Sequence, residues 1–280
     1  MDTVTSADGT IIAYDHVGDG PPLIVSVGAF CTRQTFIPPA DLSRRFTVYT
    51  YDRRGRGDSG DTQPYAPERE YEDLAAVAAA ATAGTAAATG TAATAGTAAT
   101  AGTAGGERPV VFGHSSGAAI ALRAAARGLP VAGIVAYEAP FRNDDTPPPG
   151  VADPAAHIRS LVAEDRRDEA VAFWMSDVVH LPAEVLAGMR NMPWLKALEP
   201  LTPTLPYDIL VTDGGVPTAE LAAITVPVLV LGGTNSPAWF QRSVADQAAA
   251  IPGGRLQMID GYDHNAPPEV IAPILFGFFR

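Results

Sequence analysis

Pro109-Val110-Val111-Phe112-Gly113-His114-Ser115-Ser116-Gly117-Ala118-Ala119-Ile120-Ala121-Leu122 reads as a short apolar strand, a turn too tight for ordinary residues, and an alanine-rich helix. Gly113 and Gly117 flank Ser115 in a Gly-x-Ser-x-Gly pattern. Such a turn is a nucleophile elbow: the serine occupies a strained strand-to-helix corner, and small flanking residues let neighbouring backbone come close. Ser115 is thereby held at a helix N-terminus, where backbone N–H groups favour developing negative charge. The pattern alone recurs by chance. Bracketed by an apolar strand and an amphipathic helix, it makes Ser115 the candidate nucleophile around which the rest of the chain is read.

The chain runs to 280 residues, room for one large α/β domain or a core with an inserted subdomain. Apolar residues at 47% and charged residues at 18% supply a sizeable core without a membrane-like composition. A formal charge of −12 argues against nucleic acid or an anionic membrane surface as a partner. No apolar run approaches a membrane span, and Met1-Asp2-Thr3-Val4-Thr5 lacks the character of a signal peptide. A single cysteine, Cys31, precludes an intrachain disulfide and makes the cytoplasm the expected compartment. The histidines His16, His114, His157, His180 and His264 are scattered, with no neighbouring Cys and no His-Glu-x-x-His spacing, so neither a metal nor a cofactor is expected.

Working outward, residues 4–7 and 10–14 joined by Asp8-Gly9 predict a β-hairpin. Leu23-Ile24-Val25-Ser26-Val27 is a near-continuous apolar strand of the kind buried on both faces, and it runs into Gly28-Ala29-Phe30-Cys31. Residues 46–51 form another, followed by Asp52-Arg53-Arg54-Gly55-Arg56-Gly57-Asp58-Ser59. A helix starts near Tyr71. Strands are expected at 131–137, 226–231 and 255–259, with helices over 237–250 and 268–279. Strands alternating with helices predict an α/β fold whose mostly parallel sheet is covered on both sides.

Taken together these pieces resemble the α/β-hydrolase fold family over nearly the whole chain. The resemblance is carried by the hairpin start, by Val27-Gly28-Ala29 where the family often has His-Gly-x, and by Asp52-x-Arg54-Gly55-x-Gly57-x-Ser59. Gly113-x-Ser115-x-Gly117 and the late His264 complete the order and spacing. It implies an α/β-hydrolase core from residues 1–142 and 222–280, with a helical cap at 143–221. Within that cap Asp153-Pro154 is a helix-start signature, and 168–179 and 182–191 read as helices. Phe30, Trp174, Met175 and Trp194, with Phe173, Met189, Met192 and Leu195, are candidates to line an apolar substrate pocket; packing of cap on core is the weightier reading for any one of the cap residues. Residues 78–106 contain only Ala, Thr and Gly. The helix near Tyr71 is expected to run a few turns into this stretch and give way to a poorly specified surface connection.

A serine hydroxyl needs a base to take its proton, and the base needs an orienting acid. His264 follows the last expected strand in Asp260-Gly261-Tyr262-Asp263-His264-Asn265, where the family's histidine sits. The family's acid position falls in Gly232-Gly233-Thr234-Asn235-Ser236-Pro237, where this chain has Asn235 rather than a carboxylate. A subset of relatives places a glutamate after the preceding core strand instead, and Glu138 stands there in Ala136-Tyr137-Glu138-Ala139-Pro140. A glutamate ending a buried strand is costly unless paired, so Glu138 is the favoured acid. Asn235 as an orienting amide, or a cap carboxylate such as Asp208 or Asp213, are the alternatives. A salt bridge to Arg142 is the purely structural reading of Glu138. The resemblance assigns the oxyanion donors to the Ser116 and Ala29 N–H groups. Arg54 and Asp58 are expected in structural hydrogen bonds, and Cys31 as a buried filler. The expected activity is a serine hydrolase cleaving a carboxylic ester, thioester or lactone of a small apolar acyl substrate. Related triad chemistries (perhydrolase, C–C hydrolase, lyase, cyclase) and a catalytically silent ligand-binding protein are the alternatives. The sequence does not specify an oligomeric state.

Overall fold

The Val-, Ile- and Leu-rich runs alternate along the chain with helical segments, and they become the strands of one sheet. The computed structural model describes residues 1–88, 106–142, 151–181, 183–189 and 192–279. Among these, the sheet strands are β1 (Asp2–Thr5), β2 (Ile11–Val17), β3 (Pro22–Ser26), β4 (Thr47–Tyr51), β5 (Val110–His114), β6 (Gly133–Tyr137), β7 (Val228–Gly233) and β8 (Arg255–Ile259). The sheet order is β1-β2-β4-β3-β5-β6-β7-β8, with β1 and β2 antiparallel to their neighbours and the rest parallel. Every residue of β3, β4, β6 and β7 is buried, as expected of parallel strands covered on both faces.

Side chains alternate between two apolar layers. Ile24, Val111, Ile134 and Val230 face helices α2 (Pro67–Ala88), α3 (Ser116–Ala126) and α10 (Ala238–Ala250), through Leu74, Ile120 and Val244 among others. Leu23, Val25, Phe112, Val135 and Leu231 face α1 (Ala40–Arg45) and α11 (Pro268–Phe278), through Leu42, Ile271 and Leu275. The alternation is the period of two that a strand imposes.

Between β6 and β7 the chain inserts α4 (Pro154–Ala163), α5 (Arg167–Phe173), α6 (Ala183–Met189), α7 (Pro193–Lys196), α8 (Leu205–Thr212) and α9 (Thr218–Leu221). Asp153 caps α4, accepting from the Ala156 N–H at 2.8 Å, with Pro154 in the first turn. A π-turn, Trp174–Val178, continues α5 over part of the stretch read as one helix. A 3-10 turn, Glu199–Thr204, leads into α8. Ile158, Leu161, Ala170, Trp174 and Leu205 form a separate apolar cluster that reaches Ala29 and Phe30 of the core.

Some boundaries differ from the sequence reading. Helix α2 starts at Pro67, where a proline needs no hydrogen-bond partner for its nitrogen, rather than near Tyr71. It runs into the Ala/Thr/Gly stretch and buries Ala78 and Ala81; residues 89–105 of that stretch lie outside the described residues. The hairpin turn is wider than two residues: Ser6 N–H donates to the Thr10 carbonyl at 2.8 Å, and Gly9 takes φ 87° inside it. No described helix is long and apolar enough to cross a membrane.

Candidate active site

β4 lies on one side of β3 and β5 on the other, so the chain order reverses between β3 and β5. In open α/β sheets the crevice beyond the strand ends at such a point is where ligands bind. Here β3 delivers Gly28-Ala29-Phe30 and β5 delivers Ser115. Ser115 sits at φ 57°, ψ −132°, just before the first residue of α3, and its N–H donates to the Tyr137 carbonyl at 2.9 Å. The neighbouring glycines are demanded by close approach. A Cβ on Gly113 would lie 2.6 Å from the Ala118 Cα, and one on Gly117 would strike the Ser26 carbonyl oxygen. A Cβ on Gly28 would lie 2.6 Å from the Ser115 Cβ and 3.0 Å from its Oγ, so the loop after β3 passes directly against the serine.

Glu138 ends β6 with φ 48° and is 1% exposed. Its Oε2 lies 2.8 Å from Nδ1 of His264. Its Oε1 accepts from the Gly233 N–H at 2.8 Å and from the Ser236 hydroxyl at 2.5 Å. The buried charge is thus fully engaged. Arg142, offered as its structural partner, lies over the Trp239 ring, 4.8 Å from the centroid. The Asn235 side-chain amide donates instead to the Gly261 carbonyl at 2.9 Å, in the loop that carries His264. Asp213 follows α8, with its carbonyl accepting from Arg123.

The loop carrying His264 is pinned from below. The Tyr137 hydroxyl donates to the Asp263 carbonyl, and His114 Nε2 lies 2.9 Å from the His264 carbonyl. A carbonyl only accepts, so His114 carries its proton on Nε2. Burial, reinforced by the adjacent His264, pushes the His114 pKa down to about 3, against the pull of that hydrogen bond. The His114 and His264 rings lie 4.6 Å apart.

Arginines of the turn after β4 fill the space beneath the elbow. Arg53 and Arg56 are each 1% exposed. Arg53 forks onto Glu70 at 2.7 and 2.6 Å and also reaches Oδ1 of Asp208 at 2.6 Å. Arg56 reaches Oδ2 of Asp208 at 2.6 Å, Thr204 Oγ1 at 3.0 Å and the Gly28 carbonyl at 2.6 Å. The Ser116 hydroxyl donates to Asp208 Oδ1 at 2.5 Å and accepts from Arg53 at 2.9 Å. Asp208 is therefore committed to the arginines rather than to His264. Burial alone would raise its carboxyl, but the two guanidiniums and the Ser116 hydroxyl outweigh it and hold the pKa below the ordinary range. Arg54 pairs with Asp73 and Asp8, and Asp58 with Arg33, as structural ion pairs. Sequence reasoning missed the arginine cluster and the Ser116 hydroxyl. The signal was present only as three arginines in four positions, remote along the chain from the Ser115-Ser116 doublet.

Of the pocket candidates, Phe30, Trp174 and Met175 meet in the apolar cluster of the inserted helices, Phe30 edge-on to Trp174 with centroids 6.0 Å apart. Trp194 is 44% exposed and donates its indole N–H to Met192 Sδ, outside that cluster. Cys31 is partly buried, and burial raises its thiol pKa. Among the described residues no group of three or more His, Cys, Asp or Glu side chains is disposed to hold a metal ion.

The model of one alpha/beta hydrolase family matches residues 23–272. The structure is similar to that of an alpha/beta hydrolase from Sphaerobacter thermophilus, with 41% identity over 100% of each chain and a TM-score of 0.85. It shares its fold with an enol-lactonase from Burkholderia xenovorans (18% identity, 99% of each chain, TM-score 0.69). An esterase from Thermogutta terrifontis shares it too, at 20% identity over 100% of this chain and 97% of the other, with a TM-score of 0.68. The chain belongs to the alpha/beta hydrolase family.

Proposed function

We propose that the protein is a serine hydrolase that cleaves a carboxylic ester, thioester or lactone through an acyl-enzyme on Ser115. The observation that carries this reading is the buried Glu138 carboxylate 2.8 Å from Nδ1 of His264, on a loop held against the elbow. Glu138 fixes the Nδ1–H tautomer, so Nε2 is the basic nitrogen left for the Ser115 proton. As Oγ attacks the carbonyl carbon, His264 takes the proton and Glu138 stabilises the imidazolium. The tetrahedral oxyanion is received by the Ser116 and Ala29 N–H groups, at the positive end of the α3 dipole. His264 returns the proton to the departing alcohol, thiol or tethered alkoxide. Water then attacks the acyl group by the same route and frees Ser115.

The apolar faces of Phe30, Trp174 and Met175 suit a small apolar acyl group. Two neighbours are named esterase and enol-lactonase, chemistries within reach of such a triad. The single cysteine and the charge of −12 support a cytoplasmic catalyst acting on small molecules rather than on nucleic acid or membranes.

Reaction with a fluorophosphonate is the test. One adduct is expected, on Ser115, and turnover of p-nitrophenyl esters is expected to fall by about 10⁴-fold or more in His264→Ala. A parent protein whose Ser115 stays unlabelled overturns the reading in favour of a silent ligand-binding member of the fold.

A further inference from the structure

The two oxygens of the Asp208 carboxylate, carried by the inserted helix α8, lead separately to the two residues assigned as oxyanion donors. Oδ1 accepts from the Ser116 hydroxyl at 2.5 Å, which ties down the residue whose N–H follows the nucleophile. Oδ2 accepts from Arg56 at 2.6 Å, and Arg56 Nη1 donates to the Gly28 carbonyl at 2.6 Å. That carbonyl and the Ala29 N–H belong to one planar peptide group. In a trans peptide the N–H points opposite to the C=O, so a guanidinium gripping the oxygen sets the direction of the donor. It also polarises the amide and strengthens the hydrogen bond that the N–H gives.

We propose that Asp208 is a positioning residue for the oxyanion hole, setting the Ser116 donor through its hydroxyl and the Ala29 donor through Arg56 and the Gly28 carbonyl. The proposal rests on the serine-hydrolase reading of Ser115. Asp208 belongs to the insertion between β6 and β7, so the hole is complete only when α8 is seated on the core. The two arginines depend on it unequally. Arg53 keeps the Glu70 fork without Asp208, whereas Arg56 is left with the Thr204 hydroxyl and the Gly28 and Cys31 carbonyls among its contacts here. An Arg56 that turns to seek charge elsewhere releases the Gly28–Ala29 peptide.

The competing role is mechanical: buried ion pairs that only fasten the insertion to the core. Asp208→Asn and Ser116→Ala in the full chain separate the two. Active sites are counted by titration to completion with a fluorophosphonate, and kcat and KM for p-nitrophenyl acetate are expressed per titrated site. Inhibition by a trifluoromethyl ketone, whose adduct places an oxyanion in the hole, is measured beside them. Asp208→Asn is expected to lower kcat per site by about 10²-fold with KM within about threefold, and to weaken the ketone by a similar factor. Ser116→Ala keeps both arginine pairs and is expected to lose about tenfold in kcat and in ketone affinity. Fewer sites or a lower melting temperature, with kcat per site and ketone affinity unchanged, overturns the proposal. If Asp208→Asn yields no folded protein, Ser116→Ala decides alone on the same criteria. A parent whose Ser115 is not labelled removes the hydrolase reading and this proposal together; a labelled parent with indifferent variants removes this proposal only.

Discussion

Replacing Glu138 by glutamine changes one atom and inverts the hydrogen-bond logic of the site. The Gly233 N–H can only donate, and it meets Oε1 at 2.8 Å, so the glutamine must keep its oxygen there and accept from Ser236 as before. That forces its NH₂ onto Nδ1 of His264, 2.8 Å away. Nδ1 must then accept, the proton moves to Nε2, and the nitrogen needed as base for Ser115 is blocked. A wrong-tautomer substitution at a triad acid lowers kcat by about 10⁴-fold, equivalent to about 5.4 kcal/mol of transition-state stabilisation. Both buried donors keep an acceptor, so the fold should lose no more than about 1 kcal/mol, a melting shift of roughly 2–4 °C for a chain of this size. Steady-state hydrolysis of a p-nitrophenyl ester beside a thermal melt measures both quantities. A Glu138→Gln enzyme with kcat within about tenfold of the parent, alongside an Asn235→Ala enzyme that has lost activity, would refute the assignment.

A methyl group at residue 28 is expected to act on the proposed nucleophile, Ser115, rather than on stability. The Gly28→Ala Cβ would stand 2.6 Å from the Ser115 Cβ, and restoring ordinary contact moves the serine by about 1 Å, worth about 10²-fold in kcat; parent-like turnover per titrated site would show that the loop yields instead. His114, with its pKa pushed to about 3 by burial and by His264, gives a pH signature. The unfolded chain takes up the His114 proton below about 6.5 while the folded chain refuses it. Stability from this group is therefore complete above that pH and is lost as pH falls towards 3, by at most roughly 4–5 kcal/mol and less where water reaches the ring. His114→Asn should lose less stability than the parent between pH 4 and pH 7 in circular-dichroism melts; equal losses would show that another group carries the slope.

The parts of the molecule legible in the sequence are those whose signal is local. Gly113 and Gly117 bracket Ser115 within five positions, and the strands announce themselves by continuous Val, Ile and Leu. Glu138 could be nominated because it directly follows a recognisable strand, and His264 because it lies in the loop after one; the structure brings them into contact. The arginine cluster was illegible for the opposite reason. Arg53 and Asp208 are 155 positions apart, and no periodicity marks which of the chain's acidic residues will meet a given arginine. Asp208 was therefore weighed only as a possible triad acid, and Ser116 only for its backbone. The insertion resisted for another reason. In short helices such as α7, an apolar side chain faces the core or the solvent with no pattern to distinguish them, and Trp194 faces outward. The start of α2 was legible in Pro67 and was overlooked in favour of Tyr71.

Phe30, Ser115 and Glu138 all take φ between 48° and 57°, in the left-handed region that L-residues avoid. Each costs about 1–3 kcal/mol relative to relaxed backbone, so together they draw several kcal/mol from a fold whose net stability is of order 5–15 kcal/mol. None is a glycine, which would occupy the same geometry without strain. Variation screened for heat resistance alone would therefore drift towards glycine at the elbow, where the proposed role of the serine hydroxyl is chemical rather than structural. Asp165 and His180 of the insertion take the same geometry, so the strain alone does not single out a site; at Ser115 and Glu138 it coincides with the proposed triad, and there directed stabilisation of this protein would have to leave the side chains in place.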